Sequence, residues 1–150
     1  MATVTTKLEA VNVMMTAIGE TPVNSITQST TTDVAIAIQI LDNVTREVQS
    51  VGWHFNTDVN YKLTPNASSQ FVLPINALRI DTSHNSAHLD LTERARKLWD
   101  RKNHTYNIDE TELYVAIVWL LDFTEVPEAA RRYISIRATR IFQDRMLSSQ

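Results

Sequence analysis

Apolar residues recur every three to four positions near both ends of the chain and every second position in part of its middle. Leu8, Val11, Met15 and Ile18 form the first helical stripe, and Thr6 with Glu9 makes a capping-box start that can satisfy two free helix N–H groups. Gly19 offers a left-handed C-cap and Pro22 blocks continuation, so the first helix is predicted over residues 6–18. A Ser/Thr-rich loop at 25–32 follows, and Asp33 then sits where a carboxylate complements the positive end of a helix. The stripe of this second helix is Val34, Ala37, Ile38, Leu41, Val44, Val48 and Val51, widened by Ile36 and Ile40, and Gly52 ends it.

Directly after Gly52 the period becomes two. Trp53, Phe55, Val59, Tyr61 and Leu63 alternate with polar residues, which predicts a strand over 53–63. A turn at 65–70, a short apolar segment at 71–73, a strand at 78–81 and a polar turn at 82–86 complete this part. Residues 91–101 fit a helical period through Leu91, Ala95 and Leu98, and their propensities favour helix. Residues 113–121 are apolar on both faces and rich in Val and Ile, which suits a strand covered on both sides, with a short buried helix as the alternative. Pro127, the early Glu125 and Glu128 and the late Arg137, Arg140 and Arg145 mark a third helix, with Ala130, Tyr133, Ile134, Ala138, Ile141 and Phe142 as its stripe. The expected fold is α+β: a bundle of three main helices with an inserted small, mostly antiparallel β-sheet. It is read as a single domain over 1–150, helical over 6–52 and 127–147 and β over 53–122.

Composition narrows the chemistry. At 150 residues, 43% hydrophobic and 21% charged, the chain has the profile of one globular domain, not of a disordered tail. The lack of cysteine removes disulfides, thiolate metal sites and thiol nucleophiles. The N-terminus lacks a secretion pattern and the longest apolar run, 114–121, is too short for a membrane span, so a soluble protein made inside the cell is expected, with no membrane partner. A net charge of -3 argues against a dedicated nucleic-acid binder, although DNA could still slide past such a surface.

Candidate active groups are sparse. His84 and His88 share the spacing of paired metal ligands, but Asn85 stands where the zincin pattern needs Glu, so a solvated turn is the expected reading and no metal or cofactor is assigned. Acidic residues gather at Asp109, Glu110 and Glu112 and at Asp122, Glu125 and Glu128; a two-carboxylate glycan hydrolase would need two of them to converge. Gly19 and Gly52, each alone at a helix end, leave no phosphate-binding loop, and no Gly-x-Ser-x-Gly elbow occurs. Arg131, Arg132, Arg137 and Arg140 spread around the third helix and are the candidate subunit interface, with solvated charge as the plainer alternative.

The segments 10–12 and 18–23, with Gly19-Glu20-Thr21-Pro22, and then Gly52-Trp53-His54-Phe55-Asn56, resemble the N-terminal half of the tail tubular protein A family of short-tailed bacteriophages. Trp99-Asp100-Arg101 is similar to that family's aromatic-Asp-Arg hairpin, and 122–134, through Pro127, to the start of its long helix. The resemblance implies a hairpin over 91–101, turning near Arg94 to Arg96, in place of the helix that propensity favours. It also implies a structural virion protein with no catalytic residues: a homododecamer ring in the virion tail, acting as head-tail connector between portal protein and tail nozzle. Such a ring would pass double-stranded DNA during ejection. Members of that family continue beyond the position of Gln150, so a short or truncated member is expected. The alternative from another class is a tail-associated hydrolase of cell-envelope glycans.

Overall fold

The computed structural model describes residues 3–28, 31–82 and 88–148. Helix α1 spans Lys7–Ala17, and Thr6 caps it by accepting from the Glu9 N–H at 3.1 Å. Its end is closed by Gly19 at φ +83, where the Glu20 N–H returns to the Met15 carbonyl. Helix α2 spans Thr32–Ser50, with the Thr31 hydroxyl accepting from the Val34 N–H, and Gly52 at φ +86 follows its end. Helix α3 spans Glu128–Leu147 with Pro127 as N-cap, where the missing proline N–H costs nothing.

Among the described residues, five strands lie between α2 and α3: β1 Thr57–Leu63, β2 Ala77–Thr82, β3 Leu91–Arg94, β4 Lys97–Asp100 and β5 Leu113–Trp119. Among the described residues they form two antiparallel sheets, one in the order β1-β5-β2 and the other the hairpin β3-β4. The hairpin turns through Ala95 and Arg96, both at positive φ, as a two-residue turn of the primed kind requires. The fold is therefore α+β with antiparallel sheets, and the helix that propensity favours over 91–101 is overridden by cross-strand pairing. The polar turn expected after Thr82, and His84 with it, lies outside the described residues.

By internal contact the chain divides into a helical unit, Met1–Val48 with Leu121–Gln150, and a β unit, Gln49–Leu120. In the helical unit α1 packs against α3, and Val11, Met14, Leu41, Val44, Ile134 and Phe142 are sealed from water. Each such side chain contributes about 1.5–3 kcal/mol through burial. Lys7 to Asp42 at 2.8 Å and Arg137 to Glu47 at 2.6 Å tie α1 and α3 to α2 at the surface. The β unit has its own core, in which Leu63, Phe71, Ile80, Leu98, Leu113, Val115 and Ile117 cluster. Segment 71–73 runs beside β4, through Leu98 N–H to the Phe71 carbonyl and Leu73 N–H to the Arg96 carbonyl, both 2.9 Å.

Two expectations are corrected. The strand predicted over 53–63 begins as a 3-10 turn, His54–Asn56, because the Asn56 side chain is drawn inward to donate to the Gln49 and Trp119 carbonyls at 2.8 and 2.9 Å. Within β1 the alternation also fails. Asn60 adopts a left-handed conformation at φ +54, the register with β5 shifts there, and Val59 is left 71% exposed. In α3 the inward line is Arg131, Ile134, Ser135, Ala138 and Phe142, so Tyr133 and Ile141 of the predicted stripe face outward.

The two glycines differ in a testable way. A Cβ at Gly19 would meet nothing within 4 Å, whereas one at Gly52 would approach Arg79 Nη2 to 2.7 Å and Val118 Cγ2 to 3.0 Å. Gly19→Ala is expected to cost about 1 kcal/mol for its left-handed backbone alone, and Gly52→Ala about 2–3 kcal/mol because the clash adds to the same strain. Urea unfolding of both variants checks the order; equal losses would contradict it.

Candidate functional site

The side chains that define the N-terminal end of α3 fall into an inward set and an outward set. Arg131 is buried and its guanidinium is spent on main-chain carbonyls: Nε donates to Val126 at 2.6 Å, Nη1 to Thr5 at 2.7 Å and Nη2 to Thr124. Its plane also lies 5.5 Å from the Phe123 ring centre. One helical turn earlier, Glu128 accepts from the Thr5 N–H at 2.7 Å and the Thr5 hydroxyl at 2.5 Å. The two residues together fasten the chain segment before α1, and the 3-10 turn Phe123–Glu125, to the start of α3. Arg131 is thus turned inward, and each of its three nitrogens donates to a carbonyl of its own unit.

The outward set is different in character. Arg132, Tyr133, Ile136, Arg140, Ile141 and Leu147 are exposed, and Tyr133 and Ile136 are each more than half accessible. Ile136 and Arg132 also line a shallow cleft of about 130 Å³ with Val13 of α1. Arg137 lies at the border of this surface and is paired with Glu47. A row of large apolar side chains flanked by arginines, left uncovered on one helix, is the composition of a protein contact surface.

The hairpin landmarks serve the β unit. Trp99 meets Tyr106 edge to face at 4.7 Å, the Arg94 guanidinium lies over Trp99 at 4.3 Å and the Lys97 ammonium over Tyr106 at 5.1 Å. Buried Asp100 organises the turn after β4 by accepting from the Lys102 N–H, the Asn103 N–H and the Asn103 side chain at 2.9, 3.1 and 2.8 Å. The Asn103 side chain is the leading reason that its carboxyl is held below the ordinary value of 3.8. Arg101 faces Asp90 at 3.4 Å. The Trp53 backbone N–H donates to Asn56 Oδ1 at 2.8 Å, and Phe55 is half-buried within the same turn.

The carboxylates considered for glycan cleavage have other partners or none that suit it. Glu112 pairs with Lys62 at 3.1 Å and accepts from the Tyr114 hydroxyl at 3.2 Å, and Glu110 lies 3.6 Å from His88. Asp109 is an exposed loop residue of the β unit, and Glu125 an exposed residue of the turn before α3. Among the described residues no group of three or more His, Asp or Glu side chains could hold a metal ion.

The family model for tail tubular proteins matches residues 8–150. The chain belongs to the tail tubular protein family. Its role is that of a structural component of a bacteriophage tail. No curated protein matches the chain. In this tail tubular protein, the matched span takes in Gly19, Gly52 and Pro127 at helix ends, Asp100 in the turn after β4, and Trp99 and Arg101, which pack on Tyr106 and pair with Asp90. The clamp of Thr5, Glu128 and Arg131 was not visible in the sequence, since its partners are 123 and 126 residues apart. The only local hint was Glu128 itself, which the helix dipole also explains.

Two outcomes follow for the clamp. Arg131→Met leaves three carbonyls without their donors and is expected to lower stability by about 2–5 kcal/mol in urea unfolding. The Glu128 carboxyl is held below its ordinary value of 4.5, first by the Thr5 hydroxyl and then by the Thr5 N–H. A carboxyl depressed in the folded state contributes stability that is complete above the unfolded value and is lost as the pH falls through the folded one. The stability gap between wild type and Glu128→Gln is therefore expected to be widest near neutral pH and to close below pH 4.5. A gap independent of pH would contradict the assignment.

Proposed function

We propose that this tail tubular protein works by assembly: copies close into a ring at the head-to-tail junction, between portal protein and tail nozzle, and duplex DNA passes through its channel on ejection. The observation that carries this reading is the outward row of α3, where Tyr133 is 55%, Ile136 51% and Leu147 46% exposed beside Arg132 and Arg140. Each would lose water-exposed apolar area in a subunit contact, and arginine is the cation best suited to such a boundary. A ring needs two different patches per copy, one meeting the other on the neighbour. The net charge of -3 suits a conduit, because a lumen without excess cation lets phosphates pass without sticking.

The test is assembly itself. Ile136→Glu and Arg140→Glu are surface changes, expected to alter stability by no more than about 0.5 kcal/mol. Each is expected to shift the protein from ring-sized mass to single copies in native mass spectrometry and to block its incorporation into tails. Assembly at wild-type level in both variants would overturn the role given to this face.

A further inference from the structure

The hairpin β3-β4 has two unlike faces. Its register sets Thr92 opposite Trp99 and Arg94 opposite Lys97, so these four share one face, while Leu91, Glu93, Leu98 and Asp100 share the other. The second face is the inner one, with Leu98 and Asp100 buried and Leu91 packed on the core of the β unit. On the outer face Arg94 lies over the Trp99 ring at 4.3 Å, Trp99 meets Tyr106 edge to face, and Lys97 lies over the Tyr106 ring at 5.1 Å. Cation, ring, ring and cation thus follow one another, with exposed Lys102 in the turn after β4.

The way these cations are held sets them apart. Other surface cations of the chain are fixed by carboxylates, as Lys7 is by Asp42, Lys62 by Glu112 and Arg137 by Glu47. Arg94 and Lys97 are instead fixed by rings, which order a cation without neutralising it. A guanidinium lying flat on a ring also keeps its in-plane N–H groups directed away from that ring. The segment 94–104 carries Arg94, Arg96, Lys97, Arg101 and Lys102 against the single acid Asp100, in a chain whose net charge is -3. The Asp100 carboxylate is taken up by its own turn, Arg96 donates to the carbonyls of Pro74, Ile75 and Ala77, and Arg101 faces Asp90. Among the described residues this leaves Arg94, Lys97 and Lys102 with no ion pair.

We infer that this face binds the phosphate backbone of double-stranded DNA. A phosphate polymer is the ligand because the cations are spread out: β4 separates Arg94 and Lys97 at one end from Lys102 at the other by about 10 Å. One small anion does not reach both ends, whereas a duplex offers a charge about every 1.7 Å of its axis. A protein partner suits the face less, since the core of a protein contact is apolar and depleted of charge, and here the half-buried rings lie under their cations. So few cations per copy give a weak, salt-sensitive, sequence-independent attachment, which lets a duplex move along the surface. The inference rests on the conduit reading and deepens it, by assigning to the hairpin the contact between channel and DNA.

The test is binding of a short, labelled DNA duplex of mixed sequence to the full chain, read by fluorescence anisotropy across a salt series. Arg94→Gln and Lys97→Gln are each expected to weaken binding at least about tenfold at low salt and to lower the salt slope by about one per copy. Arg94→Lys keeps the charge and is expected to retain most of the binding, which separates a lost contact from a lost fold. Lys62→Gln removes a cation of the same unit that Glu112 already compensates, and is expected to change neither affinity nor slope. Wild-type protein that leaves the duplex free at low salt, or binding unchanged by both hairpin Gln variants, overturns the contact and leaves the ring standing. Gln variants that bind duplex normally but fail to enter tails make the face a protein contact and overturn it too. Wild-type protein that binds duplex through this face yet stays single-copy in tails overturns the conduit reading and leaves the DNA contact standing.

Discussion

In the helical unit the guanidinium of Arg131 joins stretches of chain that lie far apart in sequence. Loop carbonyls that leave water need donors, and this chain has no cysteine to cross-link its joints and only two glycines to ease them. Arg131 answers that constraint by holding the carbonyls of Thr5, Thr124 and Val126, which brings the segment before α1 and the turn before α3 to one point. It also sets the rotation of α3. With Arg131, Ile134, Ala138 and Phe142 inward, helical geometry leaves Tyr133, Ile136 and Arg140 on the opposite side. The surface proposed for assembly is thus the reverse face of a buried arginine.

The β unit meets the same constraint with the same kind of solution. Arg96 holds three carbonyls of the turn 74–77, and Asn56 bridges the Gln49 and Trp119 carbonyls. Asp100 does the converse, gathering three donors around one carboxylate. Exposed apolar residues such as Ile75 and Val59 thus stand on backbone held by these bonds or next to it.

Helix limits were legible because their chemistry is local. Thr6, Gly19, Gly52 and Pro127 each act within a few residues of where they stand, and all four do what their types predict. The strand β5 was legible from its composition as well, although its faces are unequal: Leu113, Val115, Ile117 and Val118 are buried and Tyr114, Ala116 and Trp119 only partly so. The hairpin over 91–101 was not, since its residues favour helix and its turn uses Ala95 and Arg96 where Asn and Gly would be usual; the family resemblance supplied it. The 3-10 turn before β1 and the phase of α3 escaped for a common reason. A polar residue, Asn56 in one case and Arg131 in the other, is pulled inward by carbonyls far off in sequence, and periodicity counts such residues as outward. Of the four arginines singled out on the third helix, Arg131 is buried, Arg132 and Arg140 are exposed and Arg137 is half-buried.

Electron microscopy of assembled tails, with the density of this chain traced, tests the ring most directly. The predicted result is a closed ring of identical copies around an axial channel, with Tyr133 and Ile136 buried between neighbours. Tails in which the chain is present as isolated copies, or with those two side chains facing solvent all round, would contradict it.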